Sequence, residues 1–281
     1  NQMIRVEITD MGIEGEGIGK IDGFPFFIKD ALIGDVVEAK VMKAKKNYGY
    51  ARLMKIITPS EHRVEPKCPF ARKCGGCQIQ ALSYEKQLEY KKKKVLNNIT
   101  RIGGLENLPE FDLIGMEEPY CYRNKAQSPV AKGKDGIFAG FYASKTHKVI
   151  PAEECAIQSP EFAPILRFVC EFADRHSWSV YDEESGRGLL RHIYLRVGKR
   201  TGEIMLCLVI NGTSLPFADE LAARVKDSFP EVTSILLNVN KKNTNVVLGR
   251  DFRCIYGNPY IEDILCGKRF RISAGSFSQV N

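Results

Sequence analysis

The sequence has 281 residues and nine cysteines, with 41 Lys and Arg against 34 Asp and Glu, a formal net charge of +7. This length accommodates two or three domains with a sizeable core, which excludes a small disulfide-stapled protein. The longest apolar run, 204–210, is far shorter than the roughly 20 residues that cross a bilayer. No apolar leader precedes the cysteines. We therefore expect a soluble, cytoplasmic protein with reduced thiols and no membrane contact.

The first sixty residues predict a small closed β-barrel. Short apolar runs alternate with glycine turns, and closure removes exposed strand edges in so short a segment. One stretch of it concentrates cations beside aromatic rings: Lys40, Lys43, Lys45, Lys46, Tyr48, Tyr50 and Arg52. Cations can follow a phosphate backbone, and rings can stack on bases. The pattern favours nucleic-acid binding, with Lys45 and Lys46 as contacts, over a solvated charged hairpin.

Three cysteines follow in a C-x5-C-x2-C spacing, with two glycines between the last two: Cys68, Cys74, Gly75, Gly76 and Cys77. The glycines let the backbone bring the sulfurs to one centre and turn N–H groups toward bound sulfides. Structural zinc sites usually present two close cysteine pairs. The loop therefore predicts an iron–sulfur cluster. Zinc and a reversible redox pair of the last two cysteines are the alternatives.

The fourth ligand of such a site must come from a distant cysteine. Cys170 lies on a helix with apolar periodicity and Cys207 lies in an apolar strand, so both are typical of a core. Cys155 is flanked by turn-forming and polar residues in a connecting loop. It is the predicted fourth ligand.

The rest of the chain predicts an α+β domain. A helix runs from about Ser83 to Gly103 and carries a lysine block at 91–94, for which solvation and phosphate contact are equally supported. From residue 120 strands alternate with helices. A helix that begins near Ser159 is predicted by apolar residues on one side, Phe162, Ile165, Leu166, Val169 and Phe172. A second helix, from about Pro216 to Ser228, is expected to bury Phe217, Leu221 and Val225, and a strand from Val232 to Val239 follows it. This order indicates an antiparallel sheet, and no G-x-G-x-x-G segment opens a helix.

Together these segments resemble the SAM-dependent RNA uracil-5-methyltransferases. The likeness is carried by a leading barrel of the TRAM type, the loop CPFARKCGGCQIQ, the distant Cys155, YRNKAQ, LLRHIYLRVG and SAGSFSQVN. It implies a [4Fe-4S] cluster held by Cys68, Cys74, Cys77 and Cys155. It also implies that Gln279 contacts S-adenosyl-L-methionine (SAM), and that Arg123 and Phe277 lie near the target base.

The resemblance also implies a domain organisation. An OB-like TRAM barrel occupies 1–60, a central α+β domain occupies 61–275, and the methyltransferase domain starts at 276–281. Within the central domain, a helical excursion at 88–122 packs on the methyltransferase domain. In the family a Rossmann-like domain with the nucleophile and the base follows the F-x-Q-x-N segment. Neither group maps onto this sequence. We therefore expect that domain to be essentially absent, the chain to be the N-terminal portion of a monomeric enzyme, and the chain alone to be inactive.

The expected activity of the whole enzyme is methyl transfer from SAM to C5 of a uridine in ribosomal RNA, in preference to transfer RNA. The alternative is a zinc- or cluster-stabilised RNA-binding module without catalytic activity. A radical-SAM methylthiotransferase is disfavoured, because its cluster loop has a C-x3-C-x2-C spacing and its barrel follows the catalytic domain.

Overall fold

The structure, a computed structural model, describes residues 2–152 and 154–278. The chain divides into two compact units, Asn1–Glu117 and Glu118–Asn281. The sequence-based boundary at residue 60 differs from this division, because the cysteine loop and the following helix pack on the barrel within the first unit.

The first unit contains a closed barrel of five strands in the order β1-β2-β3-β5-β4. The strands are β1 (Met3–Met11), β2 (Gly17–Ile21), β3 (Phe24–Lys29), β4 (Val36–Ala44) and β5 (Gly49–Thr58). Strand β1 alternates between exposed and buried residues, so Ile4, Val6 and Ile8 fill the barrel. A Cβ at Gly19 would lie 2.5 Å from Val6 Cγ2. Glycine at this position therefore permits the close approach of β1 and β2 in the barrel.

One helix follows the cysteine loop and packs on the barrel. It is α1 (Tyr84–Asn97), continued by a π-helical turn at Asn98–Ile102. The Tyr90 hydroxyl donates to Gly12 O at 2.5 Å, and Lys94 Nζ donates to Ile13 O at 2.8 Å. The expected helical excursion over 88–122 therefore ends early. Residues 103–122 contain no helix or strand.

The second unit is built on a six-stranded sheet of order β13-β12-β11-β10-β6-β7. Its strands and helices are β6 (Lys125–Gly133), β7 (Gly136–Ala139), β8 (Phe141–Tyr142), β9 (Val149–Ile150), α2 (Phe162–Arg175), β10 (Leu190–Val197), β11 (Ile204–Ile210), α3 (Ala218–Ser228), β12 (Val232–Val239), β13 (Asp251–Gly257), β14 (Tyr260–Leu265) and β15 (Lys268–Ser273). Strands β8 and β9 pair separately, as do β14 and β15.

The sheet is mixed, which corrects the prediction of an antiparallel one. Strands β11 and β12 are parallel, with Leu206 opposite Ile235. The physical reason is the connection: α3 carries the chain back across the sheet, so β12 enters in the same direction as β11. A second correction concerns Phe217. It was expected in the core, but it has a φ of 60° at the start of α3 and is 54% exposed.

Both faces of this sheet are covered. On one face the helices α2 and α3 pack against residues such as Ile193, Leu195 and Leu206. On the other, Tyr194, Met205 and Cys207 pack with Ile261 of the β14–β15 hairpin and with Ala274. Residues on β10 therefore alternate between an apolar helical layer and the layer that contains the hairpin.

In the described residues, no helix combines the length and the apolar character that crossing a membrane requires.

Candidate functional site

Three aromatic rings form a cluster on the barrel surface, which we call the aromatic platform: Phe27, Tyr48 and Tyr50. Their centroids lie 5.7 Å apart for Phe27 and Tyr48, 5.9 Å for Phe27 and Tyr50, and 5.6 Å for the two tyrosines. Tyr50 is 42% exposed. Such a surface can stack on a nucleobase.

Lysines border the platform. Lys45 Nζ donates to Tyr48 Oη at 2.9 Å and lies 5.0 Å from the centroid of that ring. This hydrogen bond lowers the pKa of the Tyr48 phenol and raises the pKa of Lys45. Lys46 is exposed beside it. The predicted contacts Lys45 and Lys46 thus lie where a phosphate could approach a stacked base.

The cysteine loop is compact, and its backbone turns around one sulfur. Gly76 N–H donates to Cys74 Sγ at 3.3 Å, and Cys74 N–H donates to Phe70 O at 2.8 Å. Cys68 is buried, whereas Cys74 and Cys77 are half-buried. Within residues 2–152 and 154–278, no group of three or more His, Cys, Asp or Glu side chains is arranged to hold a metal ion.

The remaining predicted site residues belong to the second unit. Cys155 is half-buried in the loop before α2. Arg123 is half-buried, its backbone N–H donates to Ile157 O at 2.9 Å, and its Nε is buried without a hydrogen-bond partner in the structure. Phe277 is 88% exposed. Gln279 lies outside the described residues.

Sequence reasoning missed Arg196, which holds the segment before Phe277. Arg196 is 3% exposed, and its guanidinium donates to Ser273 O at 2.8 Å and to Ser276 O at 3.1 Å. The available signal was a charged residue inside the otherwise apolar end of β10. A buried arginine needs acceptors, and here the backbone of a turn supplies them.

It also missed the role of the lysine block on α1. Lys93 Nζ lies 3.0 Å from Asp10 Oδ1, and Lys92 Nζ lies 5.4 Å from the centroid of the Phe111 ring. The Lys93 contact and the Lys94 bond to the β1–β2 loop attach the helix to the barrel, whereas Lys92 lies over a ring of the segment that follows the helix. The block therefore has a packing role that neither sequence-based alternative included.

The barrel and the whole chain are similar to known proteins. Residues 1–54 match the family model of the TRAM domain. Uncharacterized RNA methyltransferases of Halalkalibacterium halodurans and Bacillus cereus are 44% and 42% identical to the chain over 281 residues, which is 100% of this chain and 61% of each relative. The chain thus spans about 61% of the length of these curated relatives.

A solved structure is similar over nearly the same extent. It is the tRNA (uracil-54, C5)-methyltransferase of Pyrococcus abyssi in complex with S-adenosyl-L-homocysteine. It is 26% identical to this chain with a TM-score of 0.75, and the match covers 99% of this chain and 62% of that one. The similarity to RNA methyltransferases therefore includes both units.

These comparisons correct the prediction that the chain is an N-terminal portion lacking a catalytic domain. Similarity to RNA methyltransferases covers 100% of the chain, and similarity to the enzyme solved with S-adenosyl-L-homocysteine covers 99%. The expected absence of a Rossmann-like methyltransferase domain, and the inactivity expected of the chain alone, rested on where the sequence ends and on a nucleophile and a base that could not be located. The similarity over 99% of the chain to an enzyme solved with S-adenosyl-L-homocysteine contradicts both expectations.

Proposed function

We propose that the protein is an RNA methyltransferase that transfers a methyl group from SAM to C5 of a uridine, with transfer RNA as the favoured substrate class. The observation that carries the proposal is the similarity over 99% of the chain to a tRNA (uracil-54, C5)-methyltransferase solved with S-adenosyl-L-homocysteine. The sequence-based preference for ribosomal RNA has no comparable support. A cytoplasmic location and a monomeric state remain predictions.

The surfaces of the two units suit an RNA substrate. A uracil C5 is inaccessible within a base stack, so the target must be extruded at a cost of roughly a few kcal/mol. The aromatic platform and its lysines offer stacking and phosphate contacts that offset part of this cost. Phe277, 88% exposed, offers a second stacking surface for a base. SAM, when bound, supplies the electrophilic methyl group.

The deciding experiment is a methyl-transfer assay with protein purified from its native source. Unmodified transfer RNA and ribosomal RNA are each incubated with SAM labelled in the methyl group, digested, and analysed for 5-methyluridine by mass spectrometry. We expect label at C5 of uridine in transfer RNA. Label in ribosomal RNA alone would reverse the substrate class, and no label in either RNA would refute the activity.

Removing the two barrel lysines tests the role of the platform. We expect Lys45→Ala with Lys46→Ala to weaken RNA binding and to flatten the slope of log K against log salt by about 0.7 for each phosphate that is no longer neutralised. Fluorescence anisotropy across a salt series measures this slope. Lys20→Ala with Lys29→Ala removes two other lysines of the same barrel and is the control. An unchanged slope in the Lys45/Lys46 variant would refute the role.

We further propose that Cys68, Cys74, Cys77 and Cys155 hold a [4Fe-4S] cluster. The chemistry of the first three supports it: they share one short loop, and an amide N–H already points at the Cys74 sulfur, as in sites that stabilise thiolates. Binding of a cluster would cross-link the cysteine loop and hold its backbone N–H groups toward the sulfur atoms.

An iron and sulfide assay on anaerobically purified protein checks the cluster. We expect bound iron and absorbance at about 400 nm, with both strongly reduced by Cys74→Ser. Cys254→Ser, which changes an exposed cysteine in the second unit, should leave both unchanged. Zinc in place of iron would exclude the cluster and favour a structural zinc site.

A further inference from the structure

Three cationic side chains meet on one face of the second unit. Lys125 on β6 is directly opposite Arg196 on β10 in the antiparallel ladder, so the two side chains project to the same side. The ladder continues toward Arg123, because Val197 N–H donates to Asn124 O at 2.9 Å. Arg123 precedes Lys125 by two residues and thus projects to the same face.

In the part of the chain that the structure describes, these cations have no acidic partners. Among the described residues, no carboxylate forms an ion pair with Arg123, Lys125 or Arg196. The Nε atoms of both arginines are buried and have no hydrogen-bond partner there. Burial lowers the pKa of Lys125, and the charges of Arg196 and Arg123 lower it further. Like charges held together in this way are stabilised when an anion binds between them.

The position of the cluster indicates which anion. Arg196 binds the backbone of Ser273 and Ser276, so the cluster adjoins the turn that leads to the exposed ring of Phe277. A phosphate beside an aromatic stacking surface is the arrangement by which proteins bind single-stranded nucleotides. The guanidinium and ammonium groups match the charge and the acceptor oxygens of a phosphodiester.

We propose that Arg123, Lys125 and Arg196 form a binding site for a phosphodiester group of the RNA, next to the base that stacks on Phe277. Lys125 and Arg123 contact the phosphate oxygens. Arg196 is 3% exposed, so it contributes its positive charge from the interior. It also holds the turn that precedes Phe277. The proposal rests on RNA being the substrate. It adds a specific subsite to the second unit, separate from the lysines of the barrel.

The test compares Lys125→Gln with the unchanged protein in RNA binding across a salt series. We expect about tenfold weaker binding at low salt and a slope of log K against log salt flatter by about 0.7 to 1. Lys125→Arg should restore both, because it keeps the charge. The matched control is Lys132→Gln, on the same strand, where the lysine lies 4.0 Å from Asp174. Circular dichroism verifies that each variant is folded.

Two further measurements identify the ligand. An RNA scanned with single neutral methylphosphonates should contain one position at which Lys125→Gln no longer weakens binding. Affinity for S-adenosyl-L-homocysteine should be equal in both proteins. An unchanged salt slope, or a loss confined to S-adenosyl-L-homocysteine, overturns the site even if the protein methylates RNA. Failure of the unchanged protein to bind any RNA would overturn the proposed function as well.

Discussion

Asp35→Ala is expected to destabilise the first unit by about 3–5 kcal/mol, because it leaves the guanidinium of Arg63, whose side chain is 13% exposed, and two backbone N–H groups without their acceptor. Asp35 is fully buried and accepts hydrogen bonds from Leu32 N–H at 2.7 Å, Ser60 N–H at 2.9 Å and Arg63 Nε at 3.1 Å. One carboxylate thus joins the loop before β4 to the segment between β5 and the cysteine loop.

The pH dependence of this contribution follows from the same contacts. Burial alone would raise the pKa of Asp35, but the hydrogen bonds from Arg63, Ser60 and Leu32 outweigh it, and the pKa lies below its usual value. A carboxylate with a lowered pKa stabilises the fold above its unfolded pKa of about 3.9. The contribution is therefore lost only as the pH falls below that value.

Amide hydrogen exchange of the barrel strands measures the effect of Asp35→Ala. The control is Glu7→Ala, an exposed carboxylate on β1, which should change protection little. The single tryptophan, Trp178, is buried in the second unit. Its fluorescence therefore shows whether that unit is intact in each variant. Barrel protection equal in the Asp35 and Glu7 variants would contradict the prediction.

His192→Gln is expected to remove most of an acid-induced loss of stability in the second unit. His192 is 4% exposed, and its Nδ1 has no hydrogen-bond partner among the described residues. Burial, aided by the charge of Arg191, lowers the pKa of His192 to about 4. The unfolded chain, with a pKa of about 6.5, binds the proton first.

The stabilisation from neutral His192 is therefore complete above about pH 6.5 and is lost as the pH falls toward 4, with a total of about 3 kcal/mol. Urea unfolding followed by Trp178 fluorescence at pH 7.5, 5.5 and 4.5 measures this loss. The glutamine variant should show a smaller decrease than the unchanged protein. His62→Gln, in the first unit, is the control. Parallel pH profiles for the unchanged protein and the His192 variant would rule out the titration.

The elements with clear periodicity were predictable from the sequence. Helix α2 contains the five apolar residues that predicted it, and all five are buried: Phe162, Ile165, Leu166, Val169 and Phe172. Strand β12 has the predicted bounds, Val232–Val239. In both, the burial of a side chain depends on its own position along the element, which is what local periodicity records.

Features that depend on pairing between distant residues were not predictable. The parallel β11–β12 pair was missed because strand direction is fixed by the crossover, not by the apolar pattern of either strand. Phe217 was assigned to the helix face because it is apolar at helical spacing, yet its left-handed backbone removes it from that face. It lies instead against the ring of His176, with centroids 4.4 Å apart.

The candidate site divides in the same way. Lys45, Lys46 and the neighbouring tyrosines were found because cations and rings alternate within a few residues of sequence. Lys125 and Arg196 are about seventy positions apart and become neighbours only through the β6–β10 ladder. A charge on a buried strand has no local signature that identifies its partner. The cation cluster therefore required the three-dimensional structure.

The attachment of α1 to the barrel has a consequence for how this polypeptide can be dissected. Met11, Leu32 and Leu82 form a small apolar cluster against which Tyr90 packs. A fragment that ends after β5 would lack Leu82 and Tyr90, and the side chains of Met11 and Leu32 would be exposed to water. An excised barrel of only five strands should therefore aggregate, because it exposes these apolar side chains. We expect the smallest fragment of the first unit that folds independently to extend past Asn97.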